Sequence, residues 1–183
     1  MSLYRWRQAA AVLREGGLIA YPTEGVYGLG CNPFDYSSVC ALLELKNRPI
    51  EKGLILAAGD ISFFSFLLNQ LQPEEIKKIT ASWPGPVTWV IPHFGLIPHW
   101  ISGGKDSVAI RVSRHSAIKG ISYYFKSPIV STSANFSGLA PARSYYQLKT
   151  MRKKLNYIVP GRLLTPGVPS IIVDLRSGCT LRG

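Results

Sequence analysis

Six short apolar runs punctuate the chain: LIAY (18–21), GLILAA (53–58), VTWVI (87–91), SVAIRV (107–112), SPIVSTSA (127–134) and PSIIVDL (169–175). Runs of this length bounded by Gly, Pro and Ser read as strands, and GLILAA is of the kind buried on both faces. Helical spacing fills much of the rest. Residues 5–15 place Ala9, Val12 and Leu13 on one face and end at Gly16-Gly17; residues 35–46 are capped by Asp35 or Ser37 and turn Val39, Leu42, Leu43 and Leu45 inward. Residues 61–71 and 115–125 are further helices. Pro73-Glu74-Glu75 opens another, with proline and acids where a helix start favours them, and it ends by Trp83-Pro84-Gly85-Pro86. A basic helix is expected over about 143–155. Some strands follow one another with no helix between them. The pattern predicts α/β architecture with a mixed, twisted sheet. With 183 residues, no repeat and no linker, one domain over 1–183 is expected.

Lys and Arg number 21 against 10 Asp plus Glu, a net charge of +11. An anionic partner is implied, either nucleic acid or a phosphate-bearing ligand. Cys31, Cys40 and Cys179 form no CxxC and no pairing with His, so neither a disulfide framework nor a zinc site fits. No apolar run approaches the roughly 20 residues that span a bilayer. A soluble protein of the cytoplasm is the expectation.

The polar groups with chemistry fall where strands end, the places where open α/β sheets bind ligands. In YPTEGVYGLG (21–30), Thr23 and Glu24 follow a strand directly, and Gly25, Gly28 and Gly30 permit close backbone approach. The glycine spacing is not a dinucleotide fingerprint, and no GxxxxGK[ST] occurs. In LKNRPIEKG (45–53), Pro49 biases Arg48 towards an extended conformation. If the segment is extended, Lys46 and Arg48 project to one side, with Lys52 near, as a seat for polyphosphate; a solvated basic turn is the plain alternative. Arg111 stands inside the apolar strand VAIRV and needs an anion, either a structural carboxylate such as Asp174 or a ligand carboxylate. In STSANFSG (131–138), Ser133 and Asn135 share a face, and together they can donate to phosphate and accept from sugar hydroxyls; a turn closing on itself is the alternative.

PTEGVYGLGC, KNRPIEKGLIL, WPGPVT, VAIRV, STSANFSG and PSIIVDLRSG occur in this order. The series resembles the YrdC-type threonylcarbamoyl-AMP synthase family over nearly the whole chain, and the KxR (Lys46, Arg48) and SxN (Ser133, Asn135) pairs are that family's signature. In length the chain resembles the short, single-domain bacterial form. The resemblance implies a twisted mixed sheet with helices around a large, positively lined cavity. It implies condensation of L-threonine, bicarbonate and ATP to threonylcarbamoyl-adenylate and pyrophosphate, with partner proteins then moving the threonylcarbamoyl group to adenosine 37 of ANN-decoding tRNAs. It assigns Thr23, Arg111 and Ser170 to threonine. Lys46, Arg48, Lys52, Ser133, Asn135 and Arg143 go to ATP, with Lys46 and Arg48 as the catalytic pair. Mg2+ would ride on the ATP phosphates, so few protein carboxylates are needed. Two positions depart from the usual pattern: Ser113, where proline often follows the Arg-Val pair, and Ile171, where threonine is commoner.

Two other readings compete. A double-stranded RNA-binding factor without catalysis would use the basic stretch Lys149, Arg152, Lys153 and Lys154. A carbamoyl-phosphate hydrolase or carbamoyltransferase accessory domain, similar to the one that adenylates carbamoyl groups in larger hydrogenase-maturation proteins, is expected to come with acylphosphatase-like and zinc-finger segments, and none is seen in this sequence.

Overall fold

Where short apolar runs occur the chain forms strands, and all the described strands join one sheet. The computed structural model describes residues 2–165, 167 and 170–182. In chain order the helices are α1 (Ser2–Arg14), α2 (Tyr36–Lys46), α3 (Ser65–Leu68), α4 (Pro73–Ser82), α5 (His99–Ser102) and α6 (Ser116–Phe125). The strands are β1 (Ile19–Pro22), β2 (Tyr27–Gly30), β3 (Ile55–Ala58), β4 (Val87–Pro92), β5 (Ser107–Val112), β6 (Ile129–Ser133), β7 (Tyr157–Ile158), β8 (Ile171–Asp174) and β9 (Thr180–Arg182). The sheet order is β7-β1-β2-β6-β3-β5-β4-β8-β9. The β1–β7, β3–β5 and β4–β8 pairs are parallel and the others antiparallel, so the sheet is mixed as the pattern predicts.

Local signals explain several boundaries. Asp35 caps α2 by accepting from the Ser37 amide, and Pro73 opens α4 with Glu75 bonded back to the Gln72 amide. Gly16 takes φ +79 to end α1, a conformation that favours glycine. Other expectations need correction. Residues 143–155 are not a helix but two short 3-10 turns, Tyr145–Leu148 and Arg152–Lys154, because only Leu148 and Met151 there are buried and no apolar stripe holds a longer helix down. Residues 61–71 form a 3-10 turn followed by the single turn α3. YGLG, absent from the apolar runs read as strands, is the buried strand β2. Gly30 is required there, since a Cβ would stand 2.8 Å from the Val130 carbonyl oxygen. The run expected over 169–175 is strand from Ile171, and Pro169 lies outside the described residues.

The two faces of the sheet have different covers. Leu56, Ala58, Val108, Ile110, Val112, Ile91 and Val130 face a large core that includes residues of α2, α3 and α4. On the other face, α1 and α6 cover Ile19, Tyr21, Ala57 and Ile129. They leave part of that face open. There many positions are small or polar, Gly28 on β2, Ser131 and Ser133 on β6, Ala109 on β5 and Thr88 on β4, beside the larger Ile55, Val90 and Ile172. Side chains this short cannot fill the space above the strands, and a hollow results. No described helix is long and apolar enough to cross a membrane.

Candidate functional site

The hollow measures about 650 Å3, the size of a small-molecule site. Among the described residues its wall carries six cations, Arg48, Lys52, Lys105, Arg111, Arg143 and Arg182, against one acid, Asp174. Thr23, Ser133 and Ser170 add hydroxyls. Seven of the nine residues singled out in the sequence therefore meet at one cavity: Thr23, Arg48, Lys52, Arg111, Ser133, Arg143 and Ser170. Lys46 and Asn135 are not on its wall.

Lys46 corrects the expectation of an extended segment. It is the last residue of α2, and Asn47 follows in the left-handed region at φ 49, so Lys46 and Arg48 do not alternate along a strand. Lys46 is 3% exposed. Its ammonium donates to Ser133 O, to Asn135 O at 2.9 Å and to Asn135 Oδ1 at 3.0 Å. An ammonium has three N–H groups, and these acceptors take all of them. Burial, then the Arg48 charge, pulls its pKa down to about 8. Asn135 Oδ1 also accepts from Ser133 Oγ at 2.6 Å, and Asn135 Nδ2 donates to Leu139 O at 2.6 Å. The Ser137 amide returns to Lys46 O at 2.8 Å. The SxN loop is thus sewn to the end of α2, with Lys46 beneath it and Ser133 on the cavity side.

Arg48 donates through Nη2 to Gly53 O at 2.7 Å, while its Nε is buried without a partner. Burial and then the Arg182 charge lower its pKa. Arg182, on the terminal strand β9, was not singled out in the sequence. It holds Ser170 by Nη2 contacts of 3.3 Å to O and 3.1 Å to Oγ, and Thr88 Oγ1 meets the same hydroxyl at 3.3 Å. Lys105 was also missed; its ammonium donates to Glu51 O at 2.6 Å. Neither stands in a recognisable motif; both were visible only as cations near a strand end.

Arg111 does not pair with Asp174. Its Nη2 lies 3.0 Å from Glu24 Oε2, both side chains being nearly buried, and its Nε donates to Gly85 O at 3.1 Å. Burial lowers its pKa first, and Glu24 opposes that. Asp174 instead accepts from the Ser177 amide and hydroxyl, which with the other bonds of that turn hold its carboxyl below the usual range. The departure Ser113 proves useful: its Oγ donates to Glu24 Oε1 at 2.6 Å.

Such a wall can hold several anionic groups close together and set a carboxylate against a guanidinium. Comparison with known proteins follows the same line. The family model Sua5_yciO_yrdC, described as "Telomere recombination", matches residues 11–183. A protein of Stutzerimonas stutzeri (strain A1501) named "Threonylcarbamoyl-AMP synthase" is 46% identical over 180 residues, 98% of this chain and 97% of that one. A crystal structure of P. abyssi Sua5 complexed with L-threonine matches with TM-score 0.89 and 33% identity over 96% of this chain; the chain spans about half of that protein, 52%. E. coli YciO matches with TM-score 0.86 at 22% identity, over 98% of this chain and 89% of that one, which bears on the fold alone. From the matched span and these identities, the chain belongs to the Sua5/YciO/YrdC family.

Proposed function

We propose that this protein is a threonylcarbamoyl-AMP synthase that makes its product from L-threonine, bicarbonate and ATP. The observation that carries the reading is the convergence of Arg48, Lys52, Lys105, Arg111 and Arg182 on one cavity whose wall has a single acid among the described residues. That arrangement suits a triphosphate beside an amino-acid carboxylate. The relatives' shared name supports it.

Arg111, with Thr23 and Ser170, binds the amino acid. Arg48, Lys52, Ser133, Arg143 and Arg182 bind ATP. Lys46 and Asn135 act from behind, holding Ser133 in place. Bicarbonate takes up a proton and loses water to give CO2, and the threonine amine adds to that CO2 to give an N-carboxylate and return a proton. A carboxylate oxygen then bonds to the α-phosphorus, the bond from that phosphorus to the bridging oxygen breaks, and pyrophosphate leaves. Nucleophile and electrophile are both anionic, so the cations lower the barrier by screening their repulsion, and positioning supplies the rest. Among the described residues no His/Cys/Asp/Glu group could hold a metal ion. Mg2+ would therefore be carried on the phosphate oxygens, where it would add charge neutralisation. The product is a reactive mixed anhydride. Partner proteins in the cytoplasm consume it by passing the threonylcarbamoyl group to adenosine 37 of tRNA.

Incubation with ATP, L-threonine and bicarbonate is expected to release pyrophosphate and an adenylate adduct, and omission of either threonine or bicarbonate abolishes both. Pyrophosphate release that ignores threonine would contradict the proposal.

RNA binding is a second reading with its own observation. Lys149, Arg152, Lys153 and Lys154 are all exposed, and none is ion-paired among the described residues. Duplex RNA affinity should then fall steeply with salt, and removal of these four charges should flatten the slope by about 0.9 for each phosphate no longer neutralised. A slope unchanged in the charge-removed variant counts against it.

A further inference from the structure

A guanidinium offers five N–H groups, and those of Arg111 are unevenly used. Nε donates to Gly85 O and Nη2 lies beside Glu24 Oε2, but Nη1 bonds to no described residue. The Nη2···Oε2 contact is itself incomplete. At 3.0 Å it is an ion pair, yet the N–H does not point at the oxygen, and Oε2 has no hydrogen-bond partner. A carboxylate beside a guanidinium ordinarily turns to take two parallel N–H bonds. Here something holds it back.

Ser113 does so. It is fully buried, and its own amide is fixed to Ala58 O at 2.9 Å. Its Oγ accepts from the His115 amide at 3.0 Å and donates to Glu24 Oε1 at 2.6 Å. His115 is locked in turn. Its Nδ1 accepts from the Ala117 amide at 3.1 Å, so Nε2 carries the proton and donates to Arg162 O at 3.1 Å. The backbone around Glu24 is also held, since Thr165 N and Gly167 N bond to Glu24 O and Gly25 O at 2.7 and 2.8 Å. Only the Glu24 side chain is left to turn, and the serine hydroxyl tethers it. Neither Glu24, Ser113 nor His115 is on the cavity wall, whereas Arg111 is.

We propose that Ser113 is a positioning residue, tethering Glu24 by Oε1 so that the carboxylate neutralises Arg111 while leaving Nη1 open to the carboxylate of the amino-acid substrate. The proposal rests on Arg111 being the amino-acid residue of the synthase. Without the tether, Glu24 closes on the guanidinium with both oxygens and competes with the ligand. A proline at this position, common in the family, supplies no hydroxyl, so the tether belongs to chains that carry one here.

The test uses Ser113→Ala and Ser113→Thr in the full chain. Loss of one hydrogen bond to a charged group predicts that Ser113→Ala raises KM for L-threonine about tenfold. KM for ATP and kcat stay near those of the unaltered protein, the melting temperature falls by a few degrees because the buried His115 amide loses its acceptor, and Ser113→Thr, which keeps the hydroxyl, restores KM. A crystal structure of Ser113→Ala shows both Glu24 oxygens on Arg111. The proposal is overturned by an unchanged KM for threonine, by the KM values for threonine and ATP rising together, or by Glu24 staying in its one-oxygen contact. Failure of the unaltered protein to release threonine-dependent pyrophosphate sinks the synthase reading instead, and the Ser113→Ala crystal still decides whether the tether exists.

Discussion

Replacing Lys46 with methionine is expected to lower ATP affinity on the order of 100-fold, although Lys46 is not on the cavity wall. The mechanism is release of the SxN loop. Methionine fills much of the same volume but donates nothing, so Ser133 O, Asn135 O and Asn135 Oδ1 lose a shared charged donor. Each buried acceptor left without a partner costs about 1–3 kcal/mol unless the loop moves to water. Moving the loop displaces Ser133 from the nucleotide side. Equilibrium titration with ATP reads the loss, and an unchanged affinity would remove Lys46 from the nucleotide site. A pH signature accompanies this. The pKa of Lys46 is depressed to about 8 from 10.5. Above pH 8 the neutral amine has two donors for three acceptors, so ATP affinity falls as pH rises through that value. Stability moves the other way. The unfolded chain binds more protons than the folded one between the two pKa values, so the Lys46 contribution to stability rises with pH across that window. Lys46→Met loses both dependences.

Arg111→Ala should cost more stability than any other single change at the cavity. It leaves Glu24 as a nearly buried carboxylate with Ser113 as its remaining side-chain partner. Breaking a buried pair in this way costs about 3–5 kcal/mol. In a domain of this size that lowers the melting temperature by roughly 6–20 °C. Threonine-dependent turnover is lost as well. The double change Arg111→Ala with Glu24→Ala separates the two effects. It removes both charges, so most of the stability returns, while the anion-binding guanidinium stays absent and turnover does not recover. Thermal denaturation and pyrophosphate release measure the two halves. Recovery of turnover in the double variant would show that Arg111 matters only for folding.

What could be read in advance follows from where the determining forces are local. SVAIRV, the cap at Asp35 and the proline start at Pro73 are set by neighbours in the chain, and they appear where the pattern places them. The strand β2 was hidden because its glycines lower strand propensity, while the close approach to Val130 and Tyr21 that demands them is tertiary. The edge strands β7 and β9 have two and three residues, too few for a periodic signal. For the site, the motif residues marked the cavity because strand ends gather them. Partner choice was not legible. Arg111 is held by Glu24, on the loop after β1, through a contact that only the sheet order creates. Lys46 was misplaced by its neighbour: Pro49 restrains Arg48, but the helix runs to Lys46 itself and turns its side chain inward.

The most direct measurement is a crystal structure of the protein with L-threonine and a non-hydrolysable ATP analogue bound together. The account predicts both ligands in the one cavity, the threonine carboxylate on Arg111 Nη1 and the phosphates among Arg48, Lys52 and Arg182. Phosphates bound outside that cavity, or a threonine carboxylate away from Arg111, would contradict it.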